Sequence, residues 1–167
     1  MINNTRNVLP MQNLKIFRPL ALVKYTFTAI ILGATVFPAL AQVTPVGLWR
    51  NIDDKTGEAK AEIRIADAGG GVLNGKIDKR LGKDAKPGDL CDQCSDDRKD
   101  QPLLGLEIIR GVKKAEGKDV WDGGKIIDPE NGRSYSARLT PIEGGKRLEV
   151  RGSFGPFGRT QTWVRVQ

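Results

Sequence analysis

The chain has no histidine at all, and its only two methionines, Met1 and Met11, lie near its start. Without histidine there is no Ser-His-Asp or Cys-His catalytic centre and no His-ligated metal site. Cysteine is nearly as scarce. Cys91 and Cys94 are the whole supply, two soft ligands where a structural zinc site needs four, so no metal site and no cofactor are expected. Lys and Arg nowhere form a block interleaved with aromatics, which argues against a nucleic-acid footprint. No stretch keeps a helical period over three turns, and no segment repeats.

Acidic residues are missing from positions 1–41, where Arg6, Lys15, Arg18 and Lys24 supply a basic start. An apolar run over 25–40 follows, ending in Ala39-Leu40-Ala41 before Gln42. A basic start, a short apolar stretch and a small-x-small site are the three parts of a secretory signal, with cleavage expected after Ala41. Met11 is a plausible alternative start. The apolar run is short for a membrane span and carries Pro38 near its end, so the expected mature form, residues 42–167, has no span. No cysteine follows the run to carry a lipid. Removing the four basic residues of the leader lowers the formal charge from +7 to +3, so part of the basicity is an address. The expected location is periplasmic or secreted.

The remaining 126 residues suffice for one ordinary core. They alternate with period two, the pattern of half-buried strands. Ala59, Ala61, Ile63 and Ile65 share one face and Lys60, Glu62 and Arg64 the other. The same alternation runs through 73–78, 134–139 and 147–151. Less regular strands are expected at 46–51, 104–113, 120–127 and 159–166. Turn residues separate them at 69–71, 128–132 and 143–145, and Gly123-Gly124 marks a bulge or sharp bend. Eight short strands with tight turns predict an all-β fold: an antiparallel up-and-down eight-stranded barrel in which the last strand pairs with the first. A β-sandwich is the alternative. Such a barrel has room for packed side chains or for one small ligand.

Residues 81–102 form a long, polar, acidic connection that contains both cysteines. In an oxidising compartment Cys91-Asp92-Gln93-Cys94 is expected to close as a disulfide. Thiol exchange would need a stabilised thiolate, and the neighbours Asp89, Asp92, Asp96 and Asp97 would raise a thiol pKa instead. The aspartates of 84–100 lack the spacing of a calcium loop. Gly47-Leu48-Trp49, with Arg159 or Arg165 from the last strand, resembles lipocalin-type barrels, in which a guanidinium from the final strand covers an indole at the closed end. Trp49, Trp121, Tyr135 and Trp163 are the candidate ligand contacts, and Gly75, Ala59, Ala61 and Ala137 leave spare room on inward faces.

Longer strings carry a resemblance. Cys91-Asp92-Gln93-Cys94, residues 97–102, 128–132, 148–152 and 157–163 occur in order, and together they resemble the bacterial domain-of-unknown-function 2147 family over nearly all of 46–166. The resemblance implies an exported protein with a lipocalin-like fold, and it supplies no catalytic residues. The expected function is binding of a small hydrophobic or envelope-derived molecule, without enzymatic activity. The alternative is an interaction module that docks the 81–102 loop on a cell-envelope protein.

Overall fold

The computed structural model describes residues 43–166. The expected leader, the expected cleavage residues Ala39, Ala41 and Gln42, and the choice between Met1 and Met11 lie outside the described residues. Eight strands follow in order: β1 (Gly47–Ile52), β2 (Ala59–Asp67), β3 (Val72–Arg80), β4 (Glu107–Lys114), β5 (Trp121–Asp128), β6 (Arg133–Ile142), β7 (Arg147–Phe154) and β8 (Phe157–Arg165). Each pairs antiparallel with the next and β8 returns to β1, closing an up-and-down barrel rather than a sandwich. Closure satisfies the backbone groups that a sheet edge would leave open. No helix among the described residues is long and apolar enough to cross a membrane.

The alternating residues become the two faces of the wall. Ile63, Ile65, Leu73, Ile77, Ala137, Leu139, Leu148 and Val150 are buried in one core with Trp49, Trp121 and Trp163. Arg64, Lys76, Arg138 and Glu149, in the opposite phase, are exposed. Ion pairs such as Arg64–Asp78 at 3.0 Å join neighbouring strands across the outer face. Burying a large aliphatic or aromatic side chain contributes roughly 1.5–3 kcal/mol, so this period-two core is the main stabilising term.

Strand β4 begins at Glu107, later than its apolar sequence suggests, because Leu103–Leu106 closes a turn through the Leu106 amide and the Leu103 carbonyl at 3.2 Å. The Gly123-Gly124 irregularity is present as a register shift between β5 and β6. A Cβ on Gly124 would stand 2.3 Å from the Arg110 carbonyl oxygen, so β4 and β5 approach too closely there for any side chain.

Candidate functional site

The two ends of the barrel are built differently. At one end β1 starts and β8 finishes, and Trp49 is fully buried there. Its indole Nε1 donates to the Pro45 carbonyl at 2.6 Å. Of the two arginines that the sequence offered, Arg165 lies over this ring, 4.1 Å from its centroid. The Arg165 guanidinium also donates to the carbonyls of Thr44 at 2.7 Å, Val46 at 2.9 Å and Gly145. Burial pulls its pKa below the usual arginine value. One cation therefore ties the segment before β1, the β6–β7 turn and the end of β8 over an aromatic floor. Arg159 instead sits at the other end and pairs with Asp54.

That other end opens. A cavity of about 800 Å³ runs into the barrel from the mouth formed by the β1–β2, β3–β4, β5–β6 and β7–β8 connections. Its inner wall is apolar, with Ile63, Ile77, Ile108, Ile126 and Val150 among the lining residues. Phe154 and Phe157 flank the β7–β8 turn at the mouth, 74% and 78% exposed. Polar groups are few within the barrel. Asn51 Nδ2 donates to Gln161 Oε1 at 3.2 Å across the β1–β8 seam, and both residues line the cavity. Trp163 lies two residues further in along β8 on the same wall, and its buried Nε1 has no hydrogen-bond partner.

Of the four candidate ligand contacts, the structure brings Tyr135 and Trp163 to this cavity. Trp49 belongs to the closed end, and Trp121 is buried in the core with Lys114 Nζ 5.2 Å from its ring centroid. Composition singles out tryptophan but does not say at which end of a strand it falls. Sequence reasoning passed over Asn51 and Gln161. The signal was available for Gln161, which shares the inward phase of β8 with Trp163 and Arg165.

The β3–β4 connection, residues 81–106, forms part of the mouth through Leu90, Asp92 and Leu103. Cys91 and Cys94 lie at disulfide distance with Cα atoms 5.3 Å apart, both buried. Arg98, 5% exposed, donates to Asp96 and to the Glu107 carbonyl at 3.1 Å. The bonds to Asp96, from the Arg98 side chain and backbone, hold its carboxyl at a pKa of about 2. Arg110 on β4 grips Asp97 at 2.8 and 2.9 Å and Glu107 at 2.8 Å. Asp96 and Asp97 are thus held in arginine clasps. No group of His, Cys, Asp and Glu among the described residues is arranged to hold a metal ion. The turn after β5 packs on the Cys91–Cys94 segment so closely that a Cβ on Gly132 would lie 1.7 Å from the Gln93 carbonyl oxygen.

With this geometry in hand, comparison with known proteins is informative about fold. Protein HP1028 from the human pathogen Helicobacter pylori, described as belonging to the lipocalin family, superposes with a TM-score of 0.63 at 19% identity, covering 75% of this chain and 84% of that one. The barrel is therefore lipocalin-like. No curated protein matches the chain in sequence. A family model described as "Uncharacterized protein conserved in bacteria (DUF2147)" matches residues 47–165, the whole barrel from the first residue of β1 to the last of β8. The chain belongs to the DUF2147 family.

Proposed function

We propose that this protein is an exported carrier that holds a small, largely apolar molecule inside its barrel, and that it is not an enzyme. The observation that supports this most is the cavity of about 800 Å³, open at one end and lined within by aliphatic side chains. Small-molecule sites commonly span roughly 300–1,000 Å³, with apolar walls and a few placed polar groups. The opposite end is sealed by Trp49 and Arg165, so a ligand enters and leaves through the mouth. Export rests on the leader in the sequence, and the Cys91–Cys94 pair suits an oxidising compartment. The ligand belongs to the hydrophobic or envelope-derived class.

Native mass spectrometry of the protein purified from its own exported fraction tests both parts. The expected result is a chain beginning at Gln42 and carrying an extra mass that leaves on denaturation. A bare chain that also fails to take up any apolar probe would overturn the carrier reading. A chain retaining residues 1–41 would overturn export.

A second reading, a module that docks on an envelope protein through the 81–102 loop, is favoured by Leu104, 64% exposed just beyond that loop. It predicts that Leu104→Glu abolishes capture of such a partner without altering uptake of an apolar probe. Unchanged capture would exclude this use of the loop.

A further inference from the structure

We infer that the group this cavity recognises on its ligand is uncharged and carries a carbonyl, with an amide fitting best. The inference rests on the carrier reading above and specifies its ligand. Its basis is the hydrogen bonding left unused on the β1–β8 side of the wall.

The Asn51–Gln161 pair uses one N–H and one carbonyl oxygen. Neither Gln161 Nε2 nor Asn51 Oδ1 has a protein partner among the described residues, so the pair offers the cavity an NH2 group and a carbonyl oxygen. Exchanging the O and N assignments of both amides leaves the same offer with its members reversed. Further in along β8, the Trp163 indole carries a second donor, unpartnered and covered in the empty barrel, which an acceptor reaches when the ring turns toward the cavity. A buried polar group without a partner destabilises the state that contains it, and a ligand that supplies the partner recovers that loss. Donors predominate, so the complementary group must accept. The free Asn51 oxygen is met as well only if the same group also donates. A primary or secondary amide does both, whereas an ester satisfies the donors alone.

Charge argues the same way. The charged residues on the wall all lie in connections or within three residues of a strand end, which places them at the rim. Three of the four cations there are already engaged: Arg80 with Asp89, Lys83 with Glu58 and Arg159 with Asp54. Lys60 is the fourth. Asp84, Asp92 and Glu130 also line the mouth, and none has an ion-pair partner among the described residues. A carboxylate on the ligand would meet surplus negative charge at the rim, and the cation next to Gln161 along β8, Arg159, is already paired with Asp54. An ammonium group would suit the rim but would leave the inner donors unpaired. A charge carried down to those amides would lose its hydration without gaining a counter-ion.

The test compares four ligands that share a ten-carbon chain: decanamide, decanoate, decylamine and decane, each displacing an apolar fluorescent dye from the purified protein at pH 7. Decanamide is expected to bind at least about tenfold more tightly than each of the others, the worth of one or two net hydrogen bonds. Gln161→Leu should erase most of that advantage and leave decane within about twofold of its original affinity. Trp163→Phe, which keeps a ring and removes the N–H, should reduce the advantage by roughly threefold to tenfold. Decanoate, decylamine or decane binding as well as decanamide would overturn the inference while leaving the carrier reading intact. An amide advantage untouched by both substitutions would overturn it too. If neither the dye nor any of the four binds, the carrier reading itself falls and this inference with it.

Discussion

The Arg165 clasp gives the sharpest test of how the barrel is closed. Arg165→Ala removes three charge-assisted hydrogen bonds to backbone carbonyls and a guanidinium stacked 4.1 Å from the Trp49 ring centroid. The bond to Val46 is exposed, and water replaces it cheaply. The bonds to Thr44 and Gly145 are half-buried, and hydrogen bonds to charged groups contribute about 1.5–3 kcal/mol each before solvent screening. Taking the lower figure for both and adding roughly 0.5–1 kcal/mol for the cation–π contact gives a loss of about 3.5–4 kcal/mol. Against a typical domain stability of about 5–15 kcal/mol, that is a large fraction. The assay is urea unfolding followed by tryptophan fluorescence. Arg165→Lys should fall between the wild type and alanine, since an ammonium keeps the charge but cannot reach three carbonyls in a fork. A fall of less than about 0.5 kcal/mol for Arg165→Ala would refute the clasp, because that is the scatter of ordinary surface substitutions. Ligand uptake at the opposite end should survive whenever the variant is folded.

Three further outcomes follow from the mouth. Gly132→Ala should destabilise the protein by more than about 2 kcal/mol in a thermal melt, since φ is +69° and the new Cβ would meet the Gln93 carbonyl; an unchanged melt would refute the tight packing of the β5–β6 turn on the cysteine segment. Reducing Cys91–Cys94 should lower stability by about 2 kcal/mol, the loop-closure value for so small a ring, and Cys91→Ser/Cys94→Ser should be lower by about the same and indifferent to reductant. The Asp96 carboxyl, held at about 2 by Arg98, stabilises the 81–106 connection fully above its ordinary value of 3.8 and loses that effect as pH falls from about 4 through 2. Limited proteolysis with an acid-active protease should therefore open this connection between those pH values, and a loop equally resistant at pH 2 would show that the clasp does not hold it.

The barrel was readable because its physics is local. In 134–139 and 147–151 a polar residue faces water at every second position, so the alternation alone states both strand and face; in 59–65 Arg64 is exposed but Glu62 is buried against Arg50. Closure was readable only indirectly, from an even strand count; in the structure Trp49 pairs with Arg165 and Arg50 with Val164 where β1 meets β8. Residues 104–106 read as strand because they are apolar, yet their backbone is spent on a turn that seats Leu106 in the core. The site divides in the same manner. Tyr135 and Trp163 stand out by side-chain type, but Asn51 and Gln161 are distant in sequence and become a pair only when the seam closes. The acidic connection shows in the sequence only as polar, because Arg98 and Arg110, which neutralise Asp96 and Asp97, reach them only in three dimensions.

The seam has a consequence for how binding and folding are related in this barrel. Asn51 and Gln161 are 110 residues apart, and Arg165 reaches Thr44 across 121. Both contacts form only when the last strand meets the first, yet they serve opposite ends. The Arg165 contacts are complete within the protein, so they stabilise the barrel whether or not a ligand is present. The Asn51–Gln161 pair is incomplete, and the unpartnered Trp163 N–H beside it is a liability until something in the cavity accepts from it. A closed end satisfied by the chain itself can carry the stability that an unsatisfied wall gives up, a trade that functional sites commonly make. Replacing both amides of the wall with aliphatic residues, as in Asn51→Leu/Gln161→Leu, should therefore leave the empty protein as stable as before or more so, while Arg165→Ala weakens empty and loaded protein alike. The difference between these two responses in one urea titration separates a wall shaped for recognition from one shaped for packing.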